Sequence, residues 1–274
     1  MNPKTLLDSK IAKYNLTNEI VKYCQKLDQK DFGANHDGNI SVKCGNELLA
    51  TPTAVSKGNI IADIIITLDM QGNKISGIGK SFSEIKLHLA AYQAREDVKA
   101  VVHAHPPFAT ARGLLYFPIR PALPEAIISI GDIVPVVAFS MPGTAKNEAV
   151  ITEILKEVDV FMIPGNGVFA VGDSIEQAYL RLELVEHLAK MDYYARTMGT
   201  PMEIANEDIN LLLKKRAAAG LGPKNNTTSV DIETKIKPIL ANQIAPSKAD
   251  DQQLNAIKDL IAAELRKIIG FHFD

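Results

Sequence analysis

The chain has 274 residues, 46% of them hydrophobic, with 30 Lys and Arg against 32 Asp and Glu and a formal net charge of −2. That balance provides no global basic field, which argues against nucleic acid and anionic membrane as partners. No uninterrupted apolar run of about 18 residues is present, the first twenty residues lack a signal-peptide core, and Cys24 and Cys44 form no metal-ligand or disulfide framework. The expectation is a cytoplasmic globular protein with enough apolar material for a sizeable core.

In chain order, residues 5–29 read as one or two amphipathic helices, with Ile20, Val21, Cys24 and Leu27 at helical spacing. "NISVKC" and "ELLATPT" read as strands joined at Gly45-Asn46, and "DIIITLDMQGNKISG" as a second pair joined at Gly72-Asn73. "SFSEIKLHLAAYQARED" reads as a helix with Ser83 as its N-cap, and "VKAVVHAH" as a short buried strand. "PFATARGLL" starts another helix. "DIVPVVAF" and "VDVFMIPG" are strand-like, and "SIEQAYLRLELVEHLAKMDYYARTMG" is a long helix with Ser174 near its start. The hairpin turns favour a largely antiparallel sheet flanked by helices over a doubly wound parallel one.

After residue 219 the composition changes. Residues 220–250 read as a Gly-, Pro- and Asn-rich linker followed by an ambiguous helix, and 251–274 as an amphipathic helix with Leu254, Ile257, Leu260, Ile261, Leu265 and Ile268 on one stripe.

His103 and His105 lie two residues apart in an apolar run. On a strand they face the same way, an arrangement that suits a borderline divalent ion. Two hydrogen-bonded core histidines produce the same pattern, so both readings stand at this point. Glu84 begins the helix that leads into that strand. A carboxylate there serves the helix dipole or, beside a metal, carries a proton. No dinucleotide fingerprint and no nucleophile elbow is present.

Three segments, "GNISVKCGNELLATPT" (38–53), "SEIKLHLAAYQAREDVKAVVHAHPPFATA" (83–111) and "PGNGVFAVGDSIEQAYLRLELVEHLA" (164–189), resemble the class II aldolase/adducin family, which includes fuculose-phosphate aldolases and ribulose-phosphate 4-epimerases. The resemblance spans about residues 10–210 in the family's order. It implies a single α/β domain over residues 1–219, a cytoplasmic homotetramer with sites at subunit interfaces, and a divalent metal, usually zinc, with manganese, cobalt or magnesium as alternatives. It also implies that His103 and His105 ligate the metal and that Glu84 moves the proton. The implied activity is cleavage of a carbon–carbon bond in a hydroxy-ketone or sugar phosphate through an enediolate. Alternatives are 4-epimerisation of a pentulose phosphate and a non-catalytic, adducin-like assembly protein.

The chain departs from the pattern at several places. Asn166 stands where the family has its third histidine ligand, and a carboxamide oxygen suits harder ions than zinc. His36 and His187 are other sources of a third ligand. Of the phosphate-holding positions, Asn39, Thr53 and Ser83 keep polar groups. His36 replaces a small hydroxyl residue, Ala54 replaces a glycine and Phe82 replaces a serine, while His36 and Lys80 offer positive charge. A carboxylated or non-phosphorylated substrate is therefore open alongside a sugar phosphate. Glu125 falls near the position of an acid/base contributed by a neighbouring subunit. The tail resembles helices that dock enzymes into bacterial microcompartments, and packing on its own domain or in a subunit interface is the other reading.

Overall fold

A computed structural model describes residues 3–138 and 145–223. The linker from 224 onward and the helix expected over 251–274 lie outside the described residues, as does any docking role for that helix. The described chain runs α1 (Pro3–Gln29), β1 (Asn39–Cys44), β2 (Glu47–Ala50), β3 (Ile66–Asp69), β4 (Lys74–Ser76), α2 (Ile85–Ala94), β5 (Ala100–Ala104), α3 (Pro107–Leu114), α4 (Pro124–Ile130), α5 (Ala145–Ile154), β6 (Val160–Met162), β7 (Val168–Gly172), α6 (Ile175–Met198) and α7 (Asn206–Ala218). The seven strands form one sheet in the order β4-β3-β2-β1-β5-β7-β6, and every neighbouring pair is antiparallel.

Local chemistry explains most of these elements. Gly45 adopts φ 61° in the two-residue turn between β1 and β2, where a side chain would be strained. The Asp69 carboxylate accepts hydrogen bonds from the Gln71 and Asn73 amides at 2.9 and 2.8 Å and so builds the β3–β4 turn. Ser174 caps α6 by accepting the Gln177 amide, as expected.

Two expectations fail. Residues 133–137 form only isolated bridges, Ile119 with Val134 and Val136 with Met162, because Pro135 has no amide to give to a ladder. Ser83 does not cap α2: Glu84 holds that position and makes no side-chain capping bond. Helices α4, α5 and α7 add to those read from the sequence.

The strand period places helices on both faces of the sheet. Ala100, Val102 and Ala104 of β5 pack with Ile20, Cys24 and Leu27 of α1 and with Ala178, Leu182 and Val185 of α6. Val101, with Phe169 and Val171 of β7, packs with Leu87 and Ala91 of α2 and Ile151 and Ile154 of α5. His103 shares the face of Val101 and therefore points to the α2 side.

Two buried polar groups tie these layers together. Asp159, fully buried just before β6, accepts from Arg95 at 2.6 Å and Arg181 at 2.9 Å and also pairs with Arg216. Arg216 additionally donates to the Ile128 and Ser129 carbonyls, so this one carboxylate fastens α7 to the sheet and to α4. On the other face, the Ser41 hydroxyl of β1 bonds His88 Nδ1 and the Tyr92 hydroxyl of α2, each at 2.7 Å. His88 is fully buried between Phe82 and Phe169, with ring centroids 4.9 and 5.3 Å away. Burial pushes its pKa down to about 3, and the positive charge of His103 adds to the effect.

Asp159→Asn leaves three buried guanidinium groups short of a counter-charge. It is expected to lower unfolding free energy by about 3–5 kcal/mol in urea titrations, whereas Asp97→Asn, whose side chain is 41% exposed, is expected to stay within ~1 kcal/mol.

His88 binds its proton in the unfolded chain near pH 6.5 but in the folded one only near 3. The unfolded state therefore holds more protons in that window, and the stability from a neutral His88 is lost as pH falls from 6.5 toward 3. His88→Phe is expected to show a shallower decline of urea midpoint than wild type over this range; parallel declines would contradict a neutral buried His88.

Candidate active site

In the middle of the sheet, at the end where β1 begins and β5 finishes, lies a cleft of about 230 Å³. Antiparallel register sets Asn39 opposite His103, and His103 opposite Phe169 on β7. Two glycines let the surrounding loops close on this point. A Cβ at Gly38, where φ is 78°, would sit 2.8 Å from the His103 carbonyl; one at Gly167, where φ is 70°, would sit 2.2 Å from the Ala104 carbonyl and 2.6 Å from the His105 ring. The Gly167 turn brings Asn166 against the two histidines.

Glu84 lies at the mouth of α2 and its carboxylate turns into the cleft. Its Oε2 is 3.1 Å from His103 Nδ1 and accepts a hydrogen bond from Asn39 Nδ2 at 3.1 Å, while Oε1 accepts from Asn166 Nδ2. Burial alone would raise its pKa. The charge on His103 and the hydrogen bonds from His103, Asn166 and Asn39 outweigh burial and hold the carboxyl well below the usual carboxylate range. His103 is buried, which disfavours its charge, yet Glu84 on one side and the Asn166 main-chain carbonyl, 2.7 Å from Nε2, raise its pKa. Both ring nitrogens thus face acceptors, which favours the charged form of His103 beside Glu84.

His105 follows β5 directly, its ring centroid 5.2 Å from that of His103. Its Nδ1 is 3.3 Å from the Asp37 carboxylate, and its buried Nε2 has no hydrogen-bond partner. Burial and the charge on His103 lower its pKa against the pull of Asp37 and Glu84. Asp37 lines the cleft and was not singled out from sequence; its place just before the G-N-x-S segment was the available signal.

The other residues expected at the site also line this cleft: His36, Asn39, Thr53, Ser83 and Asn166, with Pro52 and Phe82 as its apolar wall. Ala54 adopts φ 60°, so the turn keeps a glycine-like conformation with an alanine, a strain of roughly 1–2 kcal/mol. The Thr53 amide donates to the Lys80 carbonyl at 2.9 Å, but the Lys80 side chain is exposed and does not line the cleft. Lys57, 4% exposed, donates to the Val55 carbonyl at 2.8 Å and the His36 carbonyl at 3.4 Å, and so braces the two loops that carry His36 and Thr53. His187 is exposed on α6 and Glu125 is exposed in the first turn of α4; neither lines the cleft.

The donor set bears on a metal. Among the described residues no group of three or more His, Cys, Asp and Glu is arranged to hold an ion. The cleft does offer His105 Nε2, buried and unpaired, backed by a carboxylate on the opposite nitrogen in the manner of a ligand imidazole. Because a carboxylate only accepts, the end of Asn166 facing Glu84 is its nitrogen, and its Oδ1 is the end turned away from that carboxylate. Two imidazoles and one carboxamide oxygen are a donor set that could suit a divalent ion, which His103 would join only if its Nε2 gave up the Asn166 carbonyl.

Residues 18–193 match the family model of the class II aldolase and adducin N-terminal domain. The chain is 30% identical over 175 residues to an L-fuculose phosphate aldolase of Methanococcus maripaludis, covering 64% of this chain and 94% of that one. It is 29% identical over 184 residues to a 3-oxo-tetronate 4-phosphate decarboxylase of Escherichia coli, covering 65% of this chain and 85% of that one. The solved structure of an L-fuculose 1-phosphate aldolase superposes with a TM-score of 0.67 at 28% identity, covering 73% of this chain and 95% of that one. With its seven-stranded antiparallel sheet between helices and this match over residues 18–193, the chain belongs to the class II aldolase and adducin N-terminal domain family.

Proposed function

We propose that the protein is a metal-dependent aldolase-type lyase that cleaves a carbon–carbon bond in a hydroxy-ketone or sugar phosphate through an enediolate. The observation that supports the reading is that Glu84, His105 and Asn166 line one cleft with His103 buried directly against Glu84 and Asn166, four residues from three separate stretches of sequence. His103, His105 and Asn166 would hold the ion, and their mixed nitrogen and oxygen donors suit zinc, manganese, cobalt or magnesium. When bound, a divalent ion supplies Lewis acidity toward the carbonyl and hydroxyl oxygens of the substrate.

The protein's own groups do the rest. Glu84 is ionised and faces the cleft, so it can take the proton of the substrate hydroxyl whose oxygen becomes the aldehyde as the carbon–carbon bond breaks, and return it to the enediolate carbon of the other fragment. Asn39 and Asn166 fix the carboxylate by one hydrogen bond to each oxygen. Asn39, Thr53, Ser83 and His36 line the cleft where substrate hydroxyl or phosphate groups would be held. Phe82 and Pro52 limit water on one wall.

A non-catalytic reading has one observation in its favour: Asn166 occupies Glu84 through its side chain and His103 through its carbonyl. The sequence similarity to a decarboxylase also admits loss of carbon dioxide as the bond-breaking step.

The protein assayed with L-fuculose 1-phosphate, other ketose phosphates and free ketoses, in the presence of each divalent ion, is expected to release an aldehyde. Glu84→Gln is expected to lower kcat by about 10²–10⁴-fold with the fold intact. A folded protein that turns over none of the panel with any ion would overturn the proposal.

Elemental mass spectrometry of the purified protein is expected to find a near-stoichiometric divalent metal that His103→Ala loses. Asn166→His, which supplies a third imidazole, is expected to tighten zinc binding by roughly 10–100-fold relative to manganese.

A further inference from the structure

Helix α2 and strand β1 are joined by a ladder of polar contacts. Asn39 and Ser41 share one face of β1; Glu84, His88 and Tyr92 follow one another at four-residue steps along α2. The first rung is Asn39 to Glu84 at 3.1 Å, in the cleft. The second and third are Ser41 to His88 and Ser41 to Tyr92, each 2.7 Å and buried. We propose that the buried rungs are a positioning device: Ser41, His88 and Tyr92 fix the rotation and height of α2 on β1, and thereby the place of the Glu84 carboxylate. This rests on Glu84 being the proton carrier of the reading above.

Three observations carry the inference. The start of α2 has no side-chain cap, so its first turn, which bears Glu84, depends on an anchor farther along the helix. His88, one turn on, is the nearest buried polar anchor. Its ring also supports both halves of the Glu84–His103 pair. Phe82, which walls the cleft two residues before Glu84, packs against one side of it. Phe169, which packs against the other side, also lies 6.2 Å from the His103 ring. Finally, Ser41 is fully buried and bonds two partners with a single hydroxyl, so losing it unfastens both.

The hydrogens of Asn39 Nδ2 report the first rung without any substrate. The test is their exchange with solvent, followed by NMR in ¹⁵N-labelled full-length protein. Ser41→Ala and His88→Phe are expected to accelerate exchange by roughly tenfold, the effect of losing a hydrogen bond's support. Ser41→Thr, which keeps the hydroxyl, is expected to stay at the wild-type rate. Tyr92→Phe removes one hydroxyl and no ring, gives a smaller change in the same direction, and decides the matter if the other variants fail to fold. Val185→Ala, in the core on the opposite face of the sheet, lowers stability without touching the ladder and is expected to leave the rate unchanged. Equal rates in wild type, Ser41→Ala and Tyr92→Phe, or an equal acceleration in Val185→Ala, would overturn the proposal. Absence of aldolase turnover would remove the functional reading, while these exchange rates would still decide the positioning role.

Discussion

A carboxylate that must stay ionised while largely buried constrains the rest of the cleft. Glu84 is kept so by the positive charge on His103 and by amide hydrogens from Asn39 and Asn166, one at each oxygen. Each donor comes from a different part of the chain: the first residue of β1, a central residue of β5 and the turn before β7. The sheet exists in this region as a frame that sets these donors side by side. Register alone puts Asn39 across from His103, and a shift by one residue would send His103 to the α1 and α6 face.

The same logic explains the close-packed glycines. Gly38 and Gly167 have no room for a Cβ because the main chain of residues 103–105 passes directly beside them. That contact brings the Asn166 carbonyl to His103 and the Asp37 carboxylate to His105. The two histidines consequently have different electrostatic roles despite being two residues apart. His103 sits between two acceptors and favours its charged form, whereas His105 is left neutral with an unpaired nitrogen. His105 thus offers a free nitrogen as it stands, whereas His103 would have to give up its Nε2 proton to the solvent before that nitrogen could hold an ion.

Outside the cleft, Asp159 gathers three buried guanidinium groups around one carboxylate. Asp159 with Arg95, Arg181 and Arg216 welds α7 to the region matched by the family model, which ends at residue 193. A buried cluster of this kind contributes to uniqueness of docking more than to net stability, since removing any one member strands the others.

Much of the fold was legible in the sequence. The turn residues Gly45-Asn46 and Gly72-Asn73 dictate hairpins, the period-two apolar strings dictate buried strands, and the Ser174 cap dictates where α6 begins, all through local sterics and hydrogen bonding. Glu84, His103, His105 and Asn166 were likewise visible, as residue types in motifs. Local sequence does not determine what each side chain meets. Ser83 looked like a helix cap, yet the helix starts one residue later because Glu84 is turned to His103. Residues 133–137 looked like a strand, and Pro135 denies them a ladder. Asp37 behind His105, Lys57 beneath the His36 loop, and Ser41 bridging His88 and Tyr92 depend on contacts between segments 21 to 68 positions apart. Sequence by itself determined the family pattern and the inventory of chemical groups, because turn and strand preferences are local. Tertiary structure alone decided which nitrogen is free, which carboxylate is charged and which helix is anchored, because those properties belong to neighbours brought together by folding.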